Sequence, residues 1–252
     1  MQSKMFAEGV KCNDCHNAHS LKLKFEGNKL CLQCHVPNKY ESEGHYFHKK
    51  NTEASLCINC HMTGKDYMGN DFRRDHSFRN PRPDQSDKYD TPNACTGCHD
   101  EKTNKWAAQI ISDKFGDERA SHFSDHLLLS SKNNLTQNER NQLDQFINDT
   151  NYPEIARSTV IENLNFSTPD QFKVLLTSLK DSSAIVRYNS LMKFRDFPPQ
   201  QRLPIALEAM KDSIKLVRIA AAQLVIGLDE NTLSGINKSI YINTRGELES
   251  ML

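Results

Sequence analysis

Four copies of one short pattern constrain this chain more than anything else in it: Cys12-x-x-Cys15-His16, Cys31-x-x-Cys34-His35, Cys57-x-x-Cys60-His61 and Cys95-x-x-Cys98-His99. All 8 cysteines belong to these motifs. The C-x-x-C-H spacing is that of covalent haem attachment, in which two thiols form thioethers to the porphyrin vinyls and the adjacent imidazole takes one axial position on iron. Structural zinc sites also use paired cysteines, but zinc gives no reason for a histidine after every second cysteine. A disulfide framework leaves the histidines unexplained too. The motifs therefore predict four haem c groups (iron), bound through Cys12, Cys15, Cys31, Cys34, Cys57, Cys60, Cys95 and Cys98, with His16, His35, His61 and His99 as proximal ligands.

The cysteines stop at Cys98 in a chain of 252 residues, so its two halves are unlike. Apolar residues make up 37% of the chain, which is modest for a globular protein. In a haem-dense segment the macrocycles themselves supply buried apolar surface, so this need not mean disorder. Lysine plus arginine (32) equals aspartate plus glutamate (32), which argues against nucleic acid or an anionic membrane as the partner. No apolar stretch reaches the length of a membrane span, and the first residues lack the series of an export signal. Cytochrome c maturation takes place outside the cytoplasm, so the expectation is a periplasmic or otherwise exported protein of which this chain is a fragment.

Up to about residue 100 the chain is rich in Asn, Asp, Lys, Gly and Pro, with little helical or strand periodicity. Short helices carrying the motifs, joined by loops, are expected there, with Asn80-Pro81-Arg82-Pro83-Asp84 as a structured loop over a haem. From Asn104 the spacing of Trp106, Ile110, Ile111 and Phe115 predicts a helix closed by Gly116, then a second from Asp117 to about Leu129. Trp106 reads as a buried aromatic of that helix in preference to a stacking partner for the fourth haem. Farther on, segments ending in Arg157, Arg187 and Arg218 align, preceded by Asp149, Asp181 and Asp212. Each unit offers two amphipathic helices with an aspartate placed to cap the second, and the arginines read as structural partners of the aspartates between units. This part resembles the HEAT-type α-solenoid. The predicted fold is thus mainly α: a haem-packed, loop-rich module at 1–126, then a HEAT-like α-solenoid at 127–252.

Six histidines remain for the other face of the haems: His19, His45, His48, His76, His122 and His126. Four are needed if every iron takes a second imidazole. Methionine is the other common sixth ligand, and Met5 and Met68 are freer to reach a haem than Met62. His19 lies one helical turn after His16 and on the same side, so it should reach a different haem from the one His16 holds.

Gly9-Val10-Lys11-Cys12 through His19-Ser20, Gly27-Asn28-Lys29-Leu30-Cys31, His45-Tyr46-Phe47-His48, Cys60-His61-Met62, Tyr67-Met68 through Asp75-His76-Ser77-Phe78, and Pro81-Arg82-Pro83 through Thr91-Pro92-Asn93-Ala94-Cys95 resemble the multihaem cytochromes c fused to HEAT or tetratricopeptide repeats. The likeness covers nearly all of residues 2–125. It implies distal ligands at His19, His48, His76 and His122, with His45 an alternative to His48. It also implies a further haem-bearing segment and export signal in the full-length protein. Electron transfer with redox partner proteins is the implied function, the helical repeats serving as a docking surface. The rival reading is a reductase of a small nitrogen or sulfur oxyanion, which needs one five-coordinate haem and a pocket lined by residues such as Arg73, Arg74, Tyr67, His45 or His126. All four motifs end in histidine, which counts against nitrite reductases that mark their catalytic haem with lysine. Arg73, Arg74, Arg79 and Arg82 read more simply as partners of haem propionates.

Overall fold

In the computed structural model, which describes residues 3–117, 119 and 122–251, the chain is mainly helical, with a single two-stranded sheet among the described residues. It divides into two units, Met1–Arg119 and Ala120–Leu252.

Among its described residues the first unit holds seven α-helices: α1 (Lys4–Ala7), α2 (Cys12–Cys15), α3 (Pro37–Tyr40), α4 (Glu43–Tyr46), α5 (Cys57–His61), α6 (Pro83–Tyr89) and α7 (Asn104–Phe115). Most are one turn long, as the scarcity of periodic apolar residues requires. Helix α6 starts inside the stretch expected to be a loop, at Pro83, where the missing N–H falls on a position that has no partner within a helix. The α7 boundaries follow the sequence reading: Thr103 Oγ1 accepts the Trp106 N–H at 3.1 Å, and Gly116 ends the helix at φ 85°. Strands β1 (Gly64–Tyr67) and β2 (Asp71–Arg74) form an antiparallel hairpin with Gly64 opposite Arg74. No alternating pattern announces it, and its turn is made by Met68 and Gly69, both at positive φ.

The unit contains little protein core. Among its described residues the buried apolar side chains are Tyr46, Pro83, Ala107 and Ile111, while Leu21, Leu23, Phe25, Val36 and Phe115 are exposed. A protein unit of this size held by so few buried side chains lacks the apolar burial that folding requires.

The second unit is the opposite case. Its helices are α8 (Phe123–Ser130), α9 (Gln137–Asn148), α10 (Glu154–Asn163), α11 (Pro169–Ser178), α12 (Ala184–Met192), α13 (Pro199–Ala209), α14 (Lys215–Leu224) and α15 (Gly235–Glu249). The helix expected from Asp117 starts instead at Phe123. Residues 118, 120 and 121 of that expectation lie outside the described residues. Helices α10, α12 and α14 form one row, each against the next, and α9 lies on α11 beside it. Helical spacing turns Leu143, Phe146 and Ile147, and likewise Val217, Ala220, Ala221 and Leu224, into one continuous core.

An ion-pair ladder crosses that row. Arg157 Nη1 meets Asp181 Oδ2 at 2.6 Å, Arg187 Nε meets Asp212 Oδ2 at 2.6 Å, and Arg218 Nη2 meets Glu247 Oε1 at 2.7 Å. Each arginine also donates backward to a carbonyl ahead of its own helix: Ile147, Asp181 and Asp212 respectively. The aspartates do not cap the helices as expected. Asp181 Oδ1 accepts the Ser183 N–H and Asp212 Oδ1 the Ile214 N–H, each at 2.8 Å, which folds the turn before the helix.

The Arg187 guanidinium holds the Asp212 carboxyl below its ordinary value. Both side chains are largely buried, 14% and 12% exposed. D212N should therefore cost about 2–4 kcal/mol in urea unfolding of the chain. D170N, at a pair exposed by 77% and 92%, should change stability by less than about 0.5 kcal/mol. Because the folded value of Asp212 is depressed, its contribution is present above about pH 4 and is lost as pH falls through the folded value. The gap between wild type and D212N should close on acidification.

Candidate haem sites

A helical turn places residues three apart close together on one side, which suits two thiols that must reach one porphyrin edge. The motifs adopt that turn. The His16 N–H donates to the Cys12 carbonyl at 2.9 Å, that of His35 to Cys31 at 3.1 Å and that of His99 to Cys95 at 2.9 Å, while α5 spans the third motif. Side chains outside the motifs hold the turns. Asn93 Oδ1 accepts the N–H groups of Cys95 and Thr96, and the Arg74 guanidinium donates to the carbonyls of Ile58 and Met62 and to Asn59 Oδ1.

Three of the four proximal histidines face a second imidazole. Ring centres lie 6.4 Å apart for His16 and His76, 6.1 Å for His61 and His45, and 6.1 Å for His99 and His48, with planes within 28°, 8° and 22°. A metal–imidazole bond is about 2.0 Å and the ring centre lies about 1.1 Å behind the nitrogen, so two imidazoles on opposite sides of one iron have centres about 6.2 Å apart. The observed separations match that span.

The ring nitrogens are oriented for the same purpose. Nδ1 lies 2.8 Å from the Leu21 carbonyl in His16, 2.9 Å from that of Arg79 in His61, 2.9 Å from that of Arg74 in His76 and 2.5 Å from that of Tyr46 in His48. A carbonyl only accepts, so Nδ1 carries the proton and Nε2 keeps its lone pair for a metal. Burial holds His45 below its ordinary pKa, with further lowering from His61 and Lys39, which favours the neutral ligand form.

The other candidates are placed differently. His35 meets the edge of Tyr40 at 5.4 Å, and Tyr40 in turn meets His45 at 5.3 Å. The premise for His19 fails, because α2 ends at Cys15 and His16 is already extended; His19 is exposed on a turn held by Asn17 Oδ1. In the second unit, His122 precedes α8 with Nδ1 2.7 Å from Ser124 Oγ. His126 stacks on Phe146 at 4.2 Å beside Tyr152, the placement of a core side chain. Met68 is exposed at the hairpin tip. Trp106 is half-buried with its ring 5.1 Å from that of His99, so it borders the fourth site and is not the core aromatic the sequence reading favoured. The four arginines expected on propionates have protein partners: Arg74 as above, Arg73 on Asp71 and the Tyr67 ring, Arg79 on Asp75, and Arg82 on Asp84. Asn28, Tyr40, Asn93 and the holding role of Arg74 escaped sequence reasoning, since an Asn or Arg in a loop carries no periodic signal.

These surroundings fit covalently held haem. An open hollow of about 420 Å³ beside the first motif is lined by Phe6, Cys12, His16 and Leu21 among others, apolar residues with two of the attachment groups. A macrocycle there would cover apolar side chains that are otherwise wet. Among the described residues no three His, Cys, Asp or Glu side chains converge as a site for a bare metal ion. The attachment points also neighbour one another in chain order. Cys15 is near Cys34, Cys31 hydrogen-bonds with Cys57, and Cys60 is near Cys95 and Cys98.

Before haem is attached, the Cys31–Cys57 hydrogen bond splits the two thiols. It brings Cys57 down to about 7 and pushes Cys31 up, while burial pushes up Cys15, Cys60 and Cys95. The thiolate is the nucleophile, and its fraction grows as pH rises through the pKa. In haem-free protein, iodoacetamide labelling followed by peptide mass spectrometry should show Cys57 alkylation rising through about pH 7, with Cys31 lagging to much higher pH.

Comparison with protein families matches residues 4–40, the stretch with the first two motifs, to the family described as the doubled CXXCH motif. No curated protein and no solved structure matches the chain. Among the described residues no helix is long and apolar enough to cross a membrane, and haem c motifs of this kind are typical of the exported side. The chain thus carries a c-type cytochrome-like multihaem element, of the kind that binds haem c and transfers electrons.

Proposed function

We propose that this chain is an exported, periplasmic electron carrier with four haem c groups, and that at least three of the irons are held between two histidines. His76 is the distal ligand opposite His16, His45 opposite His61, and His48 opposite His99. His45 and His48 are then both ligands instead of alternatives. His19 remains for the haem of His35. The observation that carries the reading is the set of three imidazole pairs at 6.1–6.4 Å, each containing at least one ring whose Nδ1 is held by a backbone carbonyl, apart from the added support of the half-buried His45.

Bound haem c supplies a one-electron iron couple, and two protein ligands leave an iron no position for a substrate. The protein's own residues then hold the imidazoles neutral and directed, and keep neighbouring attachment turns in contact. The second unit, with its row of α10, α12 and α14, is read as a HEAT-like surface on which a redox partner protein docks. The alternative, reduction of a small nitrogen or sulfur oxyanion, turns on His35, whose ring neighbour is Tyr40 where the other three have an imidazole.

Mass spectrometry of the holoprotein should show four covalent haems. H45A, H48A and H76A should each convert one haem to a high-spin form that binds carbon monoxide once reduced, leaving the others low-spin. Fewer than four haems, or a variant with an unchanged spectrum, would overturn the corresponding assignment. Carbon monoxide binding by the wild type at a single haem that survives all three substitutions would favour the reductase at His35.

A further inference from the structure

Asn28 lies in the 3-10 turn Gly27–Leu30, three residues ahead of the second motif. Its backbone carbonyl accepts the N–H groups of Cys31 and Leu32, both at 3.0 Å, and so starts the second attachment turn. Its side chain serves the third. Oδ1 accepts the Cys57 N–H at 2.9 Å and Nδ2 donates to the Ser55 carbonyl at 2.9 Å, from a position far away in sequence. A carbonyl and an N–H leave no ambiguity about which way the amide points. Cys57 is also the first residue of α5, so its N–H is one of those with no partner inside the helix. One half-buried residue therefore bolts the first cysteine of one motif to the first cysteine of the next.

Two further contacts lie at this junction. The Cys31 and Cys57 sulfurs meet, and Tyr40 stands edge-on to both His35 and His45. The corresponding asparagine of the fourth motif, Asn93, binds its own motif's N–H groups and Asn104, so it holds one turn without joining two.

We propose that Asn28 is a positioning residue that sets the spacing of the haems at the second and third motifs, and so the rate at which electrons pass between them. This rests on the carrier reading above. Electron exchange between haems falls steeply with separation, so a loosened bolt slows this step while the ligands, and hence the spin states, stay unchanged.

The test uses holoprotein with all four haems attached, partly reduced, with exchange read from NMR line shapes of the haem methyl groups. In wild type the methyls of the second and third haems should be averaged by fast exchange. N28A should lose that averaging and show separate resonances, and N28D, which keeps the acceptor for Cys57 but not the donor for Ser55, should lie between. N93A should leave the second–third pair averaged. Where N28A fails to load four haems, N28D carries the test. Unchanged averaging in a fully loaded variant, or equal slowing in N93A, overturns the proposal. Fewer than three low-spin haems, or no averaging of any haem pair, in wild type would instead overturn the carrier reading.

Discussion

Under the proposed ligation, the first unit depends on pairs of imidazoles held apart by the width of a metal and its two bonds. His16 and His76 come from distant parts of the chain, and so do His48 and His99. Nothing in the protein alone rewards that separation, because rings with a gap between them bury little area. With few buried hydrophobic side chains in the unit, coordination and macrocycle burial would take the place of a core in the proposed carrier. Closing long loops through a cofactor is the same device by which disulfides and structural metals stabilise small domains. The loops can then be polar and short of secondary structure, which is what their composition shows.

The second unit solves the same problem with aliphatic packing, and there the charged residues have a different task. A guanidinium as buried as that of Arg157 is costly unless every direction it donates in is answered. The ladder answers the two terminal nitrogens, with a carbonyl behind and a carboxylate in the next hairpin ahead, and leaves Nε without a partner among the described residues. Since both partners are fixed in sequence relative to their helices, the pair specifies the register of one hairpin on the next, which an apolar interface of Val, Ala and Leu leaves loosely defined.

What could be read from the sequence divides along physical lines. The attachment turns, the boundaries of α7 and the pairing of repeated arginines with repeated aspartates were legible, because each rests on spacing within one turn or one repeat. Which histidine stands beside which motif was not, because His45 and His76 are placed by loops whose path depends on Met68, Gly69 and other residues at positive φ. His19 shows the limit most directly. A helical-turn argument needs a helix, and this one stops at Cys15. The protein partners of the arginines were illegible for a related reason: charge says that a partner is needed, and does not say that a nearby carboxylate or the end of α5 will supply it.

The segment His45-Tyr46-Phe47-His48 makes two of the sites interdependent. Its two histidines face different motifs, His61 and His99, although they are three residues apart and would share one face of a continuous helix. What separates them is Phe47, which ends α4 at φ 61°, a conformation that an aromatic residue adopts only under tertiary constraint. That constraint is visible: the Phe47 ring lies 5.6 Å from Phe115, with the Lys114 ammonium 5.5 Å from its centre, both on α7. Helix α7 also carries Trp106 against His99. The one long helix of the first unit thus directs His48 toward the fourth site and backs the proximal histidine of that site at the same time. In the proposed carrier, ligation of the third and fourth irons would therefore be a joint property of α4 and α7 and not of two separate motifs.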